Sequence, residues 1–355
     1  MFVLKGLNMV SFKYNGISAL TLSEKITTPS FCMTKDGTTL YVPLFNGDAG
    51  DVITFDGYKY TLGTFKIDNL RMAISRIIGK TVSKVCCSNS TTWYIDNNNL
   101  YGCGSSNSGQ QGSGNTSNVL TFTKRAENVK EVICSEYATW YITDSGDLYG
   151  CGTNSAGQQG YGNRNVLTFT KRAENVKKVS CLGNATWYID NNNNLYGCGH
   201  NDYGQQGSGD ASDVLTFTKR AENVKNVVCT SFATWYIDNN NNLYGCGHEH
   251  FGSTFTKRAE NVKEVICSSV TTWYIDNNNN LYGYGSNNYG QQGSGNTSDV
   301  PTFTKRAENV KDVACADSET WYIDNNNNLY GCGWNFSGQQ GSGNTSNVLI
   351  FTAKD

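Results

Sequence analysis

Three histidines are all that this 355-residue chain offers for imidazole chemistry, and two of them, His248 and His250, flank Glu249. On a strand, residues two apart project to one side, so the pair could present two nitrogens to a zinc or nickel ion. That reading needs a further ligand, which the surrounding sequence does not supply. The plainer expectation is a polar connection left by a deletion. His200 stands at the corresponding place in an earlier copy of the same motif. No histidine recurs in a fixed pairing with a serine or cysteine nucleophile, and no carboxylate pair stands apart from those that recur with the repeat. No catalytic set, and so no enzyme, is expected.

Glutamine carries more information. Gly-Gln-Gln-Gly occurs five times, at Gln110 and Gln111, Gln158 and Gln159, Gln205 and Gln206, Gln291 and Gln292, and Gln339 and Gln340. Each amide holds a donor and an acceptor, which suits sugar hydroxyls or peptide backbone. The first glutamine of each pair is expected to cap main-chain groups between neighbouring units. The second (Gln111, Gln159, Gln206, Gln292 and Gln340) is a candidate ligand group. Tyr137, Phe232 and Glu319 join the candidates because they fall in a stretch that differs from copy to copy, and variation on a constant frame is where specificity resides.

Charge excludes more than it suggests. Lysine plus arginine number 28 and aspartate plus glutamate 30, a formal charge of -2. A nucleic acid is a poor partner for such a surface. Five Lys-Arg pairs, from Lys124-Arg125 to Lys305-Arg306, could grip an anion, but a glutamate follows each two residues later, and a solvated strand edge resistant to mispairing is expected instead. Asn-rich turns such as 96–99 lack the spaced acidic ligands of a calcium loop. No cofactor is implied. The N-terminus does not read as a signal peptide, and no apolar run approaches a membrane span. Synthesis in the cytoplasm is expected, with association with a virion left open, as is the oligomeric state.

The elements that position these groups come from a repeat. Trp-Tyr-Ile starts at Trp93, Trp140, Trp187, Trp235, Trp273 and Trp321, in steps of 47, 47, 48, 38 and 48 residues. Each unit holds four short runs of β-branched and aromatic residues separated by Asn, Asp and Gly, the pattern of a four-stranded meander. A lone meander cannot cover both of its faces, and stacked neighbours can, so the expected fold is an all-β, seven-bladed β-propeller of four-stranded antiparallel blades. Six regular repeats occupy 81–355. The seventh, degenerate blade is expected within 1–80, where Phe31 to Tyr41 and Thr64-Phe65-Lys66 echo later copies, with a hairpin insert around Asp56-Gly57 and a short helix near 68–78. The rival arrangement is six blades and a separate N-terminal domain.

Thirteen cysteines recur with the repeat, mostly in two settings, at the end of the first strand and within the third. Within one blade these strands are separated by two strand spacings, about 9–10 Å, too far for a disulfide. Buried free thiols are expected, in keeping with a reducing compartment.

The succession of an apolar strand, a turn, Leu-Tyr-Gly-x-Gly and then Asn-x-x-Gly-Gln-x-Gly, as at Asn154 to Gly160 and Asn287 to Gly293, resembles the regulator of chromosome condensation repeat. The resemblance implies a seven-bladed propeller and, in function, a cytosolic regulator of a small GTPase. The chain departs from the family pattern at Ser135-Glu136-Tyr137-Ala138, where Gly-x-x-His is usual, and in the second glutamine, where leucine is usual. It has no basic tail, and the family's exchange residues find no counterpart. The leading functional expectation is therefore a non-enzymatic recognition scaffold that binds a protein or a surface glycan, in its most specific form a phage tail or host-attachment component. The small-GTPase regulator is the alternative, and a metal protein using His248 and His250 is the third reading.

Overall fold

A computed structural model of the chain describes residues 82–247 and 252–354, together with the backbone of four short earlier strands. The chain divides into two units, Met1–Ser83 and Lys84–Asp355. In the first, Val52–Phe55 pairs antiparallel with Tyr58–Thr61, with Phe55 opposite Tyr58, on either side of the expected Asp-Gly connection, which lies outside the described residues. Ser30–Phe31 pairs with Gly63–Thr64. The helix expected near 68–78 lies outside the described residues.

From Val82 onward the chain is a succession of six four-stranded sheets, blades 1 to 6, spanning 82–126, 129–173, 176–221, 224–259, 262–307 and 310–354, all but the first two residues in the second unit. Strands follow one another in sequence order within each sheet, so every blade is a meander. In blade 2 the strands are Val129–Cys134, Ala138–Thr143, Leu148–Gly152 and Val166–Ala173. The propeller architecture is thus realised in six blades among the described residues, and the seventh, expected in 1–80, falls outside them.

Turn chemistry explains the meander. Between the second and third strands of blade 3, Oδ1 of Asp190 accepts the backbone N–H of Asn192 at 2.9 Å and of Asn194 at 2.8 Å, while Oδ2 accepts the Asn194 amide at 2.8 Å. Asn193 takes φ of 63°, a region asparagine tolerates better than other residues with a Cβ. The carboxylate is occupied by these donors, consistent with a structural turn and not a calcium loop. These loops also join blades, since Val224 N–H donates to the Asn193 carbonyl at 2.8 Å.

Blades adhere through one repeated cluster. At the junction of blades 2 and 3, Trp140, Ile142 and Leu148 of one blade meet Val176, Val179 and Tyr188 of the next, all of them buried. Trp140 then meets the edge of Phe217 at 6.0 Å between centroids. Trp93, Trp187, Trp235 and Trp273 repeat the contact with Phe169, Phe255, Phe303 and Phe351 at 5.6–5.9 Å. The indole lies across its own sheet because the residue opposite it is glycine: Trp187 pairs with Gly197, and a Cβ on Gly197 would stand 2.4 Å from the ring.

Gly197→Ala should therefore destabilise the fold by about 1–3 kcal/mol through overpacking, read as a lower midpoint in urea or thermal unfolding. An unchanged midpoint would mean that the indole is free to move away.

Candidate functional site

In an antiparallel meander the chain reverses after the first and third strands at the same end of the sheet. The variable stretch of each blade and the Gly-Gln-Gln-Gly loop, where a blade carries one, therefore share one face. The loop is built inward from a buried asparagine. Asn154 Nδ2 donates to the carbonyls of Tyr161 at 2.8 Å and Gly162 at 3.2 Å, and its Oδ1 accepts the Gln159 N–H at 2.7 Å. Asn201, Asn287 and Asn335 repeat this role.

The two glutamines divide their labour. The first bridges blades: Gln158 Nε2 donates to Asn184 Oδ1 at 3.1 Å, Gln205 to the Ser231 carbonyl at 3.2 Å and Gln291 to the Asp317 carbonyl at 3.0 Å, each in the next blade. The second is interior. Gln111, Gln159, Gln206, Gln292 and Gln340 are each 0% exposed and donate to the carbonyl of the third-strand residue eight positions earlier at 2.8–3.0 Å. The expectation that these five contact a ligand is corrected: their amides hold the loop to its own blade and do not reach the surface.

The loops of blades 1, 2, 3 and 5 are also clamped on the blade that follows. The third-strand thiol of the next blade donates to the carbonyl of the first glutamine, as with Cys198 and Gln158 at 3.4 Å and Cys332 and Gln291 at 3.3 Å. The loop's glycines press on the neighbour's outer strand, so that a Cβ at Gly157 would stand 2.7 Å from the Leu215 Cα and one at Gly160 2.4 Å from the Phe217 ring.

Blade 4 breaks the pattern. Its third strand ends at Gly247 and its fourth starts at Thr256, leaving too little chain for this loop. Two substitutions in blade 5 accompany the loss. Where other blades place the clamping cysteine, blade 5 has Tyr284, and where the outer strand carries the leucine on which a loop glycine sits, it has Pro301. Beside them opens a cavity of about 200 Å³ between blades 4 and 5, lined by Thr230, Ser269, Val270, Tyr284, Asp299 and Pro301 among others. Tyr284 is buried against Phe303 at 5.6 Å, and desolvation pushes its phenol pKa up, so it remains a neutral hydroxyl. Tyr284 and Pro301 were both legible as departures from the repeat, a signal that reading the glutamines alone passes over.

Around this opening the face carries exposed aromatic side chains. Tyr203 stacks edge-on against the half-buried Phe232 at 5.0 Å, Tyr289 lies 5.9 Å from Trp334, and Phe336 is 74% exposed. Of the other expected site residues, Tyr137 is exposed in blade 2 and Glu319 is half-buried at the start of the second strand of blade 6. Tyr137, Phe232 and Glu319 share the face but belong to alternate blades.

Ionic groups add little to the site. The lysines of the five Lys-Arg pairs each meet the following glutamate at 2.5–2.7 Å on the exposed strand edge, as expected. His248 and His250 lie outside the described residues. His200, Asp202 and Asp213 bring their ligand atoms within 4.8 Å of one another. Both ring nitrogens of His200 already have partners, Asp202 at 3.0 Å and Gln205 at 2.8 Å, and Asp213 accepts the Asn201 N–H at 3.0 Å. The trio is a hydrogen-bonded loop anchor.

Residues 278–322 match the Regulator of chromosome condensation (RCC1) repeat, a segment that includes Tyr284, Asp299 and Pro301. Human WBSCR16 superposes with a TM-score of 0.63 at 15% identity over 92% of each chain. Yeast RCC1 (Prp20) bound to Kap60 gives 0.62 at 15% identity over 77% of this chain and 75% of that one. A second Saccharomyces cerevisiae Prp20p structure, described with its binding properties to Gsp1p and histones, gives 0.61 at 13% identity over 99% and 90%. These likenesses show a shared propeller fold. No curated protein matches the chain in sequence.

Gln206→Leu, which removes a buried donor and leaves the Cys198 carbonyl unsatisfied, should cost about 1–3 kcal/mol, seen as a lower melting midpoint. A midpoint unchanged by this substitution would reopen a surface role for the second glutamine.

Proposed function

Starting from a chain that carries RCC1 repeats on a propeller fold, we propose that it is a non-enzymatic scaffold that binds a protein partner on the face bearing the glutamine loops, with the cavity between blades 4 and 5 at the centre of the contact. The observation that carries this reading is the coincidence of three changes at one place. A loop is lost from blade 4, Tyr284 and Pro301 replace the residues that loop would engage, and the opening is bordered by the exposed Val270. Exposed aromatic groups on a rigid frame favour binding because they bury much area at little cost in conformational entropy.

The partner class best supported is a small GTPase, with this chain as its regulator. The support is the RCC1 repeat match together with the fold shared with Prp20p, a protein described with Gsp1p and histones. Release of a fluorescent guanine nucleotide from a panel of small GTPases tests it. The chain should accelerate release, and Pro301→Arg, which crowds the cavity, should reduce that effect by about 10-fold or more with an unchanged melting midpoint. If no GTPase in the panel binds or responds, the regulator reading is lost. The attachment reading rests on the close similarity of the repeats and their Asn-rich turns, and retention on a glycan array would favour it.

The same reading includes residues 1–80 as a seventh blade. The support is the echo of the repeat in the sequence at Phe31 to Tyr41 and at Thr64-Phe65-Lys66. Deleting 1–80 should lower the melting midpoint of the remaining repeats by several degrees, whereas a separate N-terminal domain would leave it unaltered.

A further inference from the structure

Within a blade the first-strand cysteines lie too far from another thiol to pair. Between blades the geometry differs. In the buried junctions the residue just before the recurring first-strand cysteine of one blade shares a cluster with the recurring cysteine of the next, Ile133 with Cys181, Val228 with Cys267 and Ile266 with Cys315, and Ser180 Oγ stands 3.5 Å from Cys229 Sγ. At the first junction that residue is Cys86. Its Sγ lies 3.0 Å from Cys134 Sγ, closer than two sulfur atoms in ordinary contact, and the Cys134 backbone N–H donates to the Cys86 sulfur at 3.2 Å. Among the described junctions this is the one where the position opposite the recurring cysteine is itself a cysteine.

We propose that Cys86 and Cys134 form a reversible disulfide that links blade 1 to blade 2, making this junction responsive to a small-molecule disulfide such as oxidised glutathione. The Cys86 thiolate attacks one sulfur of the oxidant and releases the other as a thiolate. Cys134 then loses its proton and attacks Cys86 within the mixed disulfide, expelling the second thiolate. Two protein thiols are oxidised, one external disulfide is reduced to two thiols, and no other electron carrier is required.

The two sulfurs have distinct roles. The hydrogen bond from the Cys134 thiol, with help from its backbone N–H and from Lys84, draws the Cys86 pKa down to about 7, while the same bond and burial push Cys134 up. Cys86 is thus the attacking group and Cys134 the resolving one. Both are half-buried, so a small oxidant has access, whereas the third-strand thiols Cys151, Cys198 and Cys246 are buried and used as donors to loop carbonyls. Cys87, exposed beside Cys86, is the competitor that the test must separate.

The full chain, incubated with oxidised glutathione and then alkylated and digested without reduction, should yield one cross-linked peptide pair joining Cys86 to Cys134. The pair should persist in Cys87→Ser and vanish in Cys86→Ser and in Cys134→Ser. Its rate of formation should fall as pH drops below about 7, because Cys86 becomes protonated. Oxidation should raise the melting midpoint of the wild type by roughly 5 °C or more, and should not do so in Cys86→Ser, where serine reproduces the side chain that blade 3 carries at this position. A Cys86 that remains fully alkylatable, or a bridge made through Cys87, would overturn the assignment.

Discussion

One contact organises the structure: in blades 1 to 5 the indole of the second strand is laid across a glycine of its own sheet and driven edge-on into a phenylalanine of the next blade. Five such pairs lie within 5.6–6.0 Å. Each pair buries both faces of a central strand, which is why Thr-Trp-Tyr-Ile does not alternate between apolar and polar. The glycine cannot be exchanged without moving the ring, and the ring cannot move without opening the junction. Stability in such an array is a sum of blade and junction contributions, so each junction contributes separately.

The loop face follows from the same junctions. Because adjacent blades are held at constant spacing, a loop from one can be clamped on the next by a glutamine amide, a thiol and two glycine contacts. The clamp is modular, and it can be removed at one place without disturbing the others. Blade 4 has lost it, and blade 5 has adjusted at Tyr284 and Pro301, leaving a cavity with both hydroxyl and apolar walls. Deleting a loop from a rigid repeat is an economical way to make a recess, since the frame does not collapse into the gap. The inner strands repeat the principle, one position there having become the cysteine that faces Cys134.

The sequence by itself determined the blades. The recurrence of Trp-Tyr-Ile, the Asn-Asp turns and the apolar runs are local properties, and strand, turn and meander followed from them, down to the pairing of Val52–Phe55 with Tyr58–Thr61 in the N-terminal unit. The neutralised Lys-Arg pairs were legible as well, because they depend on residues close in the repeat, and the bridging role of the first glutamine was legible because it recurs at one point of every loop-bearing unit. What only the tertiary structure decided is which of two adjacent, chemically identical groups faces inward. Gln158 and Gln159 differ by a single position, yet the glycines around them turn one toward the next blade and bury the other beneath the loop. The pairing of Cys86 with Cys134 and the cavity beside Tyr284 belong to the same class. Both join residues about one repeat apart, and sequence distance says nothing of proximity until the blades are stacked.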